Sequence, residues 1–174
     1  MRIKLLHPSI AFSIAIIAAL VALLNVGAAN AATPADACAL LTAQQVSSAL
    51  GAVVGPGQPT MPNSTISCSW SEQGVPAAGA RNVSVLLMTV KSFESSKTPL
   101  QGLTKTPVSG LGDDAFFTER PATVTSLSVK KGDAYFQIKT RSNPDWFKTG
   151  KTPESEKKDQ DVDRALALEI LKKL

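Results

Sequence analysis

Few residues in this chain could do chemistry. Its one histidine, His7, lies in a leader that ends near residue 31. Beyond that leader there is no imidazole, which excludes a Ser-His-Asp or Cys-His catalytic arrangement and any histidine metal site. It also removes the side chain best suited to proton transfer near neutral pH. Cys38 and Cys68 are the only cysteines, and they do not form a C-x-x-C redox pair.

The segment Ser109-Gly110-Leu111-Gly112-Asp113-Asp114-Ala115 invites two functional readings. A phosphate loop would need a longer glycine pattern, with Lys and Ser or Thr opening a helix. A calcium loop would need several oxygen ligands at fixed spacing, and Asp113 with Asp114 supplies two, on opposite sides if extended. The residues favour a tight turn that enters a strand. Asp113, Asp114, Glu119 and Asp133 are the carboxylates considered for paired acid–base chemistry, and none sits in a context that marks a raised pKa. Trp146 and Phe147, with Tyr135 and Arg141, could form an exposed patch of the composition favoured at binding hot spots. In the alternative reading, Trp146 and Phe147 cover the sheet edge or the last helix. The candidate binding surface is therefore Asp113, Asp114, Tyr135, Arg141, Trp146 and Phe147. No catalytic residue, metal ligand or cofactor is assigned.

The leader sets the context for these residues. Arg2 and Lys4 precede an uncharged apolar run from Ser9 to Val26, and Ala29-Asn30-Ala31 supplies an A-x-A cleavage pattern. That order defines a signal peptide over residues 1–31. The alternative is an uncleaved anchor, in which case membrane contact comes only through this segment. Lipidation is not expected, because Cys38 lies well past the apolar run and follows Asp36. The protein is expected to be exported, either periplasmic or secreted. Cleavage leaves residues 32–174 as a single domain, large enough for one core. The net charge falls from +4 to +2, with 16 basic and 14 acidic groups remaining. That near balance gives no reason to expect nucleic acid as a partner. In an exported chain, an even cysteine count favours a Cys38–Cys68 disulfide.

These residues are held by elements that can be read in outline. Thr42 and Gln45 have capping-box spacing, Leu41 and Val46 match a hydrophobic staple, and Gly51 fits a C-cap, so a helix is predicted from Ala43 to Leu50. Two glycines and three prolines between Gly55 and Asn63 predict a loop. Ile66, Cys68 and Trp70 alternate with serines, which predicts a half-buried strand with Cys68 facing inward. Val83–Val90 reads as a central strand, and Ser92–Lys97 as a short helix stopped by Pro99. Thr106–Asp114 reads as a turn-rich approach. Strands follow at Ala115–Thr118, Thr123–Val129 and Ala134–Thr140, with a hairpin turn at Lys130–Asp133. Ser142–Lys151 is predicted to be a loop. Thr152 and Pro153 open a last helix whose core stripe is Val162, Ala165, Leu166 and Ile170, and whose polar first half is expected to fray. The fold class is α+β: an antiparallel sheet of about five strands packed on one side by an N-terminal and a C-terminal helix.

The sequence also resembles a broad group of small exported bacterial domains of unknown function, many of them lipoproteins. The resemblance rests on Ala37-Cys38-Ala39-Leu40-Leu41-Thr42, a helix ending Leu50-Gly51, Cys68-Ser69-Trp70, and Val108 through Ala115 in the Gly-Leu-Gly-Asp pattern. It implies an α+β sheet domain with a Cys38–Cys68 disulfide, and it implies no activity. This chain differs from the group in lacking a cysteine at the cleavage site.

The function expected from these readings is non-catalytic binding of an unidentified protein or envelope component through the sheet or its loops. An enzyme using carboxylates or a bound metal is the second reading, and an inhibitor-like module is the third.

Overall fold

The computed structural model describes residues 36–121 and 123–174. The signal-peptide reading falls on residues outside this range.

The chain enters through a 3₁₀ turn, Ala37–Ala39, capped by the Asp36 carboxylate, which accepts the Cys38 N–H at 2.8 Å. Helix α1 spans Ala43–Leu50, with the bounds read from the sequence. The Thr42 hydroxyl accepts the Gln45 N–H and the Gln45 side chain accepts the Thr42 N–H, while Gly51 closes the helix at φ 69°. Satisfying these orphan backbone groups is what fixes a two-turn helix that propensity alone would leave marginal.

Seven strands follow: β1 Gln58–Pro59, β2 Ser67–Ser71, β3 Asn82–Leu87, β4 Thr104–Pro107, β5 Asp114–Glu119, β6 Ser126–Lys131 and β7 Ala134–Arg141. They form one antiparallel sheet in the order β1-β2-β3-β7-β6-β5-β4. The expected count of about five is therefore corrected to seven. Both additional strands, β1 and β4, are short edge strands that end in proline. Proline cannot donate to a ladder, so it is tolerated at a sheet edge and reads as loop in the sequence.

Helix α2 spans Val90–Lys97, α3 spans Trp146–Thr149 and α4 spans Pro153–Leu171. Helix α3 occupies the middle of the predicted loop. Helix α4 is continuous from its Thr152–Ser155 capping box. It packs on β6 and β7, and α1 packs on α4. Val162, Leu166, Ala167 and Ile170 of α4 join Val46 and Leu50 of α1 over the inward residues of the sheet, including Trp70, Val83, Val85, Phe117, Leu127, Phe136 and Ile138. Ala165, expected in that stripe, faces solvent, and Ala167 takes its place. Ile66, expected to share a face with Cys68, precedes β2 and is half exposed.

The opposite face of the sheet carries its own small cluster, which corrects the expectation of helices on one side only. Phe93 of α2 is fully buried between Phe116 and Tyr135, with ring centroids 5.6 and 5.3 Å away. Phe116 neighbours inward-facing Phe117, and Tyr135 neighbours inward-facing Phe136, so strand alternation sends these aromatics to opposite sides.

The Cys38–Cys68 disulfide is formed, with the two Cα atoms 5.1 Å apart. It staples the 3₁₀ turn to β2 beside the buried Trp70. No helix among the described residues is long and apolar enough to cross a membrane.

Candidate functional site

The glycine-aspartate segment braces a hairpin. The Asp113 carboxylate accepts the Gly132 N–H at 2.6 Å, and the Asp113 N–H donates to the Lys130 carbonyl at 2.8 Å. The Gly132 amide, helped by Lys131, holds the Asp113 carboxyl below its usual range. Gly112, at φ 61°, has no room for a side chain, because a Cβ would lie 2.2 Å from the Lys130 carbonyl oxygen. Asp114 pairs with Lys97 of α2 at 2.6 Å. Both carboxylates thus hold elements together.

The six candidate surface residues fall into two groups. Asp114, Lys130 and Tyr135 stand in register across β5, β6 and β7, next to Asp113. Tyr135 is buried in the Phe93 cluster, with the Lys130 ammonium 5.7 Å from its ring centroid. Arg141 lies six residues farther along β7, about 20 Å away at the rise of a strand. Its guanidinium donates to the Ala77 and Ala80 carbonyls and lies 5.0 Å from the Phe147 ring centroid. Phe147 is 68% exposed, whereas Trp146 is half-buried. Arg141 and Phe147 are together, and Arg141 lies at the far end of β7 from Asp114, although both are on the same face of the sheet.

Two functional candidates were missed in the sequence. The first is a carboxylate pair on α4. Asp159 and Asp163 are 1% and 0% exposed and lie one helical turn apart against the end of β7. Asp159 accepts the Ser142 N–H at 2.8 Å, and Asp163 accepts the Thr140 hydroxyl at 2.7 Å. The second Asp163 oxygen and the Ser142 hydroxyl are buried without a well-aligned hydrogen bond. Burial pushes both carboxyls up, Asp163 well above the usual carboxylate range, with Asp159 adding to that rise. Neither carboxylate is open to a substrate. The missed signal was spacing: Asp159 and Asp163 precede Leu166 and Ile170 by seven residues and share their stripe.

The second is the part of the sheet that α2 leaves open. Alternation places Ser69, Ser84 and Lys139 in one register row, followed by Ser67, Leu86, Gln137 and Ser128 in the next. Two depressions lie on this surface and share Gln137 and Lys139. One, of about 250 Å³, is bounded by Met61, Ser67, Ser84 and Leu86. The other, of about 560 Å³, is bounded by Leu103, Thr118, Arg120, Thr123, Val124 and Ser126. Together they form a trough floored by small polar side chains. Lys139 and Arg120 are exposed, and among the described residues neither forms an ion pair. Lys105 points to the same side, but its ammonium is engaged by the Ser96 and Thr98 carbonyls at the end of α2.

Among the described residues, no three His, Cys, Asp or Glu side chains gather where they could hold a metal ion. No family model, curated protein or solved structure matches the chain.

Proposed function

We propose that this chain is an exported, non-catalytic binding domain that contacts a protein or an envelope component through the open face of its sheet. The observation that carries this reading is the polar trough over β3, β7, β6 and β5, with two unpaired cations on a floor of Ser, Thr and Gln. Several polar groups elsewhere on the surface are engaged with one another, as in Glu72–Arg81, Asp114–Lys97 and Asp113–Gly132. In this reading, the N-terminal and C-terminal helices close one side of the sheet and leave the other for the partner. Export is supported by the A-x-A leader in the sequence and by the disulfide, which persists in an oxidising compartment.

The test is site-specific photocrosslinking in cells that express the full chain. A photoreactive side chain at Ser84 should give a discrete adduct in the envelope or secreted fraction, and one at Lys157 on the outer side of α4 should not. Equal labelling at both positions, or none at Ser84, would overturn the reading.

A further inference from the structure

The occupant of the trough can be narrowed by charge and shape. This inference rests on the binding reading above. Charge is divided between the two sides of the sheet. On the closed side, α4 carries six of the 14 acidic residues against Lys157, Lys158 and Arg164, and two of the six, Asp159 and Asp163, are buried. On the open side, the strand positions and the residue following β5 carry Lys105, Lys130, Lys139, Arg141 and Arg120 against one acid, Asp114, which Lys97 neutralises. A domain of near-neutral total charge therefore presents a cationic trough. Unpaired Lys and Arg at the mouth of a concave polar surface favour carboxylates, and Arg can bind one in bidentate fashion.

The rest of the lining distinguishes among anions. Leu86 and Met61 bound one end, and Leu103 and Val124 bound the other, with Ser84, Ser126, Gln137 and Lys139 between. No lining residue of either depression is aromatic, so no ring is offered for a sugar to stack on. Hydroxyls and the Gln137 amide can each donate and accept, which suits the alternating N–H and C=O groups of a peptide backbone. Strands lie about 4.8 Å apart, so the four steps from β2 to β5 measure about 19 Å, which about six residues of extended peptide cover at ~3.3 Å each. We infer that the trough binds an extended segment of a partner protein, about six residues long, in which acidic residues that meet Lys139 and Arg120 are interspersed with aliphatic ones that fill the Leu86 and Leu103 ends.

The test uses the purified full chain with its disulfide oxidised and reads fluorescence anisotropy of labelled probes. The probes are a peptide of alternating Leu and Glu, its Leu/Gln counterpart, and polygalacturonate as an anionic polysaccharide. The Leu/Glu peptide should bind at least about tenfold more tightly than the Leu/Gln peptide, and its affinity should fall with added salt. Lys139→Gln and Arg120→Gln should each weaken it about tenfold without lowering the melting temperature, since both side chains are exposed. Lys157→Gln on α4 should leave binding unchanged. The inference is overturned if the two peptides bind alike, if the trough variants match Lys157→Gln, or if polygalacturonate binds more tightly than the peptide. Should the Ser84 crosslink form in any of these cases, the face still binds and only the ligand class is wrong. Should the crosslink also fail, the binding face itself is wrong.

Discussion

The Thr140 hydroxyl of β7 donates to Asp163 of α4 across 2.7 Å in the fully buried interior. This bond ties helix to sheet with a group that resists ionisation there. The aliphatic contacts of Leu166 and Ile170 fill space on either hand, whereas the Asp163–Thr140 bond fixes the rotation of the helix on the strand.

The direction of the Asp163 shift gives its pH dependence. Its folded-state pKa lies well above 3.8, so its stabilising contribution is complete below about pH 4 and is lost as pH rises through the folded value. Asp159 has the same sign. Glu156 and Lys158 face the pair from α4, and Thr140 and Ser142 face it from β7 and the loop that follows. Asp163→Asn should therefore flatten the decline in melting temperature as pH is raised above about 4. An unchanged slope in melts across that range would count against an ionisable Asp163.

Glu72 behaves in the opposite way. Arg81 grips its carboxylate through Nε at 2.9 Å and Nη2 at 2.5 Å and reaches on to the Gly51 carbonyl, clamping the β2–β3 connection to the end of α1. The Arg81 hydrogen bonds lower the Glu72 pKa from 4.5 to about 2. Its stabilisation is present above pH 4.5 and is lost as pH falls through about 2. Glu72→Gln should cost about 1–2 kcal/mol at pH 7, allowing for solvent screening of a half-buried pair. Urea titrations should find that cost shrinking toward zero near pH 2.

Gly112 and Gly110 offer a matched comparison. Both have positive φ, 61° and 80°, but only Gly112 faces a carbonyl oxygen where a Cβ would go. Gly110→Ala should cost about 1 kcal/mol, the penalty of a left-handed backbone. Gly112→Ala should cost about 3 kcal/mol or more, because Lys130 must move and the hairpin with it. Chemical denaturation of the two variants distinguishes these costs.

The disulfide closes a sequence separation of 30 residues. Cys38→Ser should lower stability by about 3–4 kcal/mol on the loop-entropy model. Reductant added to the parent protein should shift its denaturation midpoint by a similar amount and leave that of the variant unchanged.

The sequence revealed the elements that satisfy their own ends and hid those that depend on distant partners. Helix α1 was legible to the residue because Thr42, Gln45 and Gly51 cap it locally. The hairpin of β6 and β7 was legible because Gly132 marks its turn and Phe136 and Ile138 alternate with Gln137 and Lys139. Strands β1 and β4 were not, since Gln58–Pro59 and Thr104–Pro107 have no apolar alternation and exist only through pairing with β2 and β5. The position of Phe93 was hidden for the same reason: its aromatic partners come from β5 and β7. Of the candidate site, the outward serines of β2 could be read, but the register that aligns Ser69 with Ser84 and Lys139 could not. Asp159 and Asp163 were overlooked because a helix stripe is ordinarily traced through its apolar members, and these two are acids on that same stripe.

The prolines that disguise β1 and β4 have a consequence of their own. A sheet grows into a fibre or captures a neighbouring strand through bare edges. Here Pro59 ends one outermost strand, while Pro107 ends the other and Lys105 charges its middle. Two-residue and four-residue borders give an incoming strand little to template on. Such borders disfavour edge-to-edge pairing with a second copy while the broad face of the sheet stays uncovered.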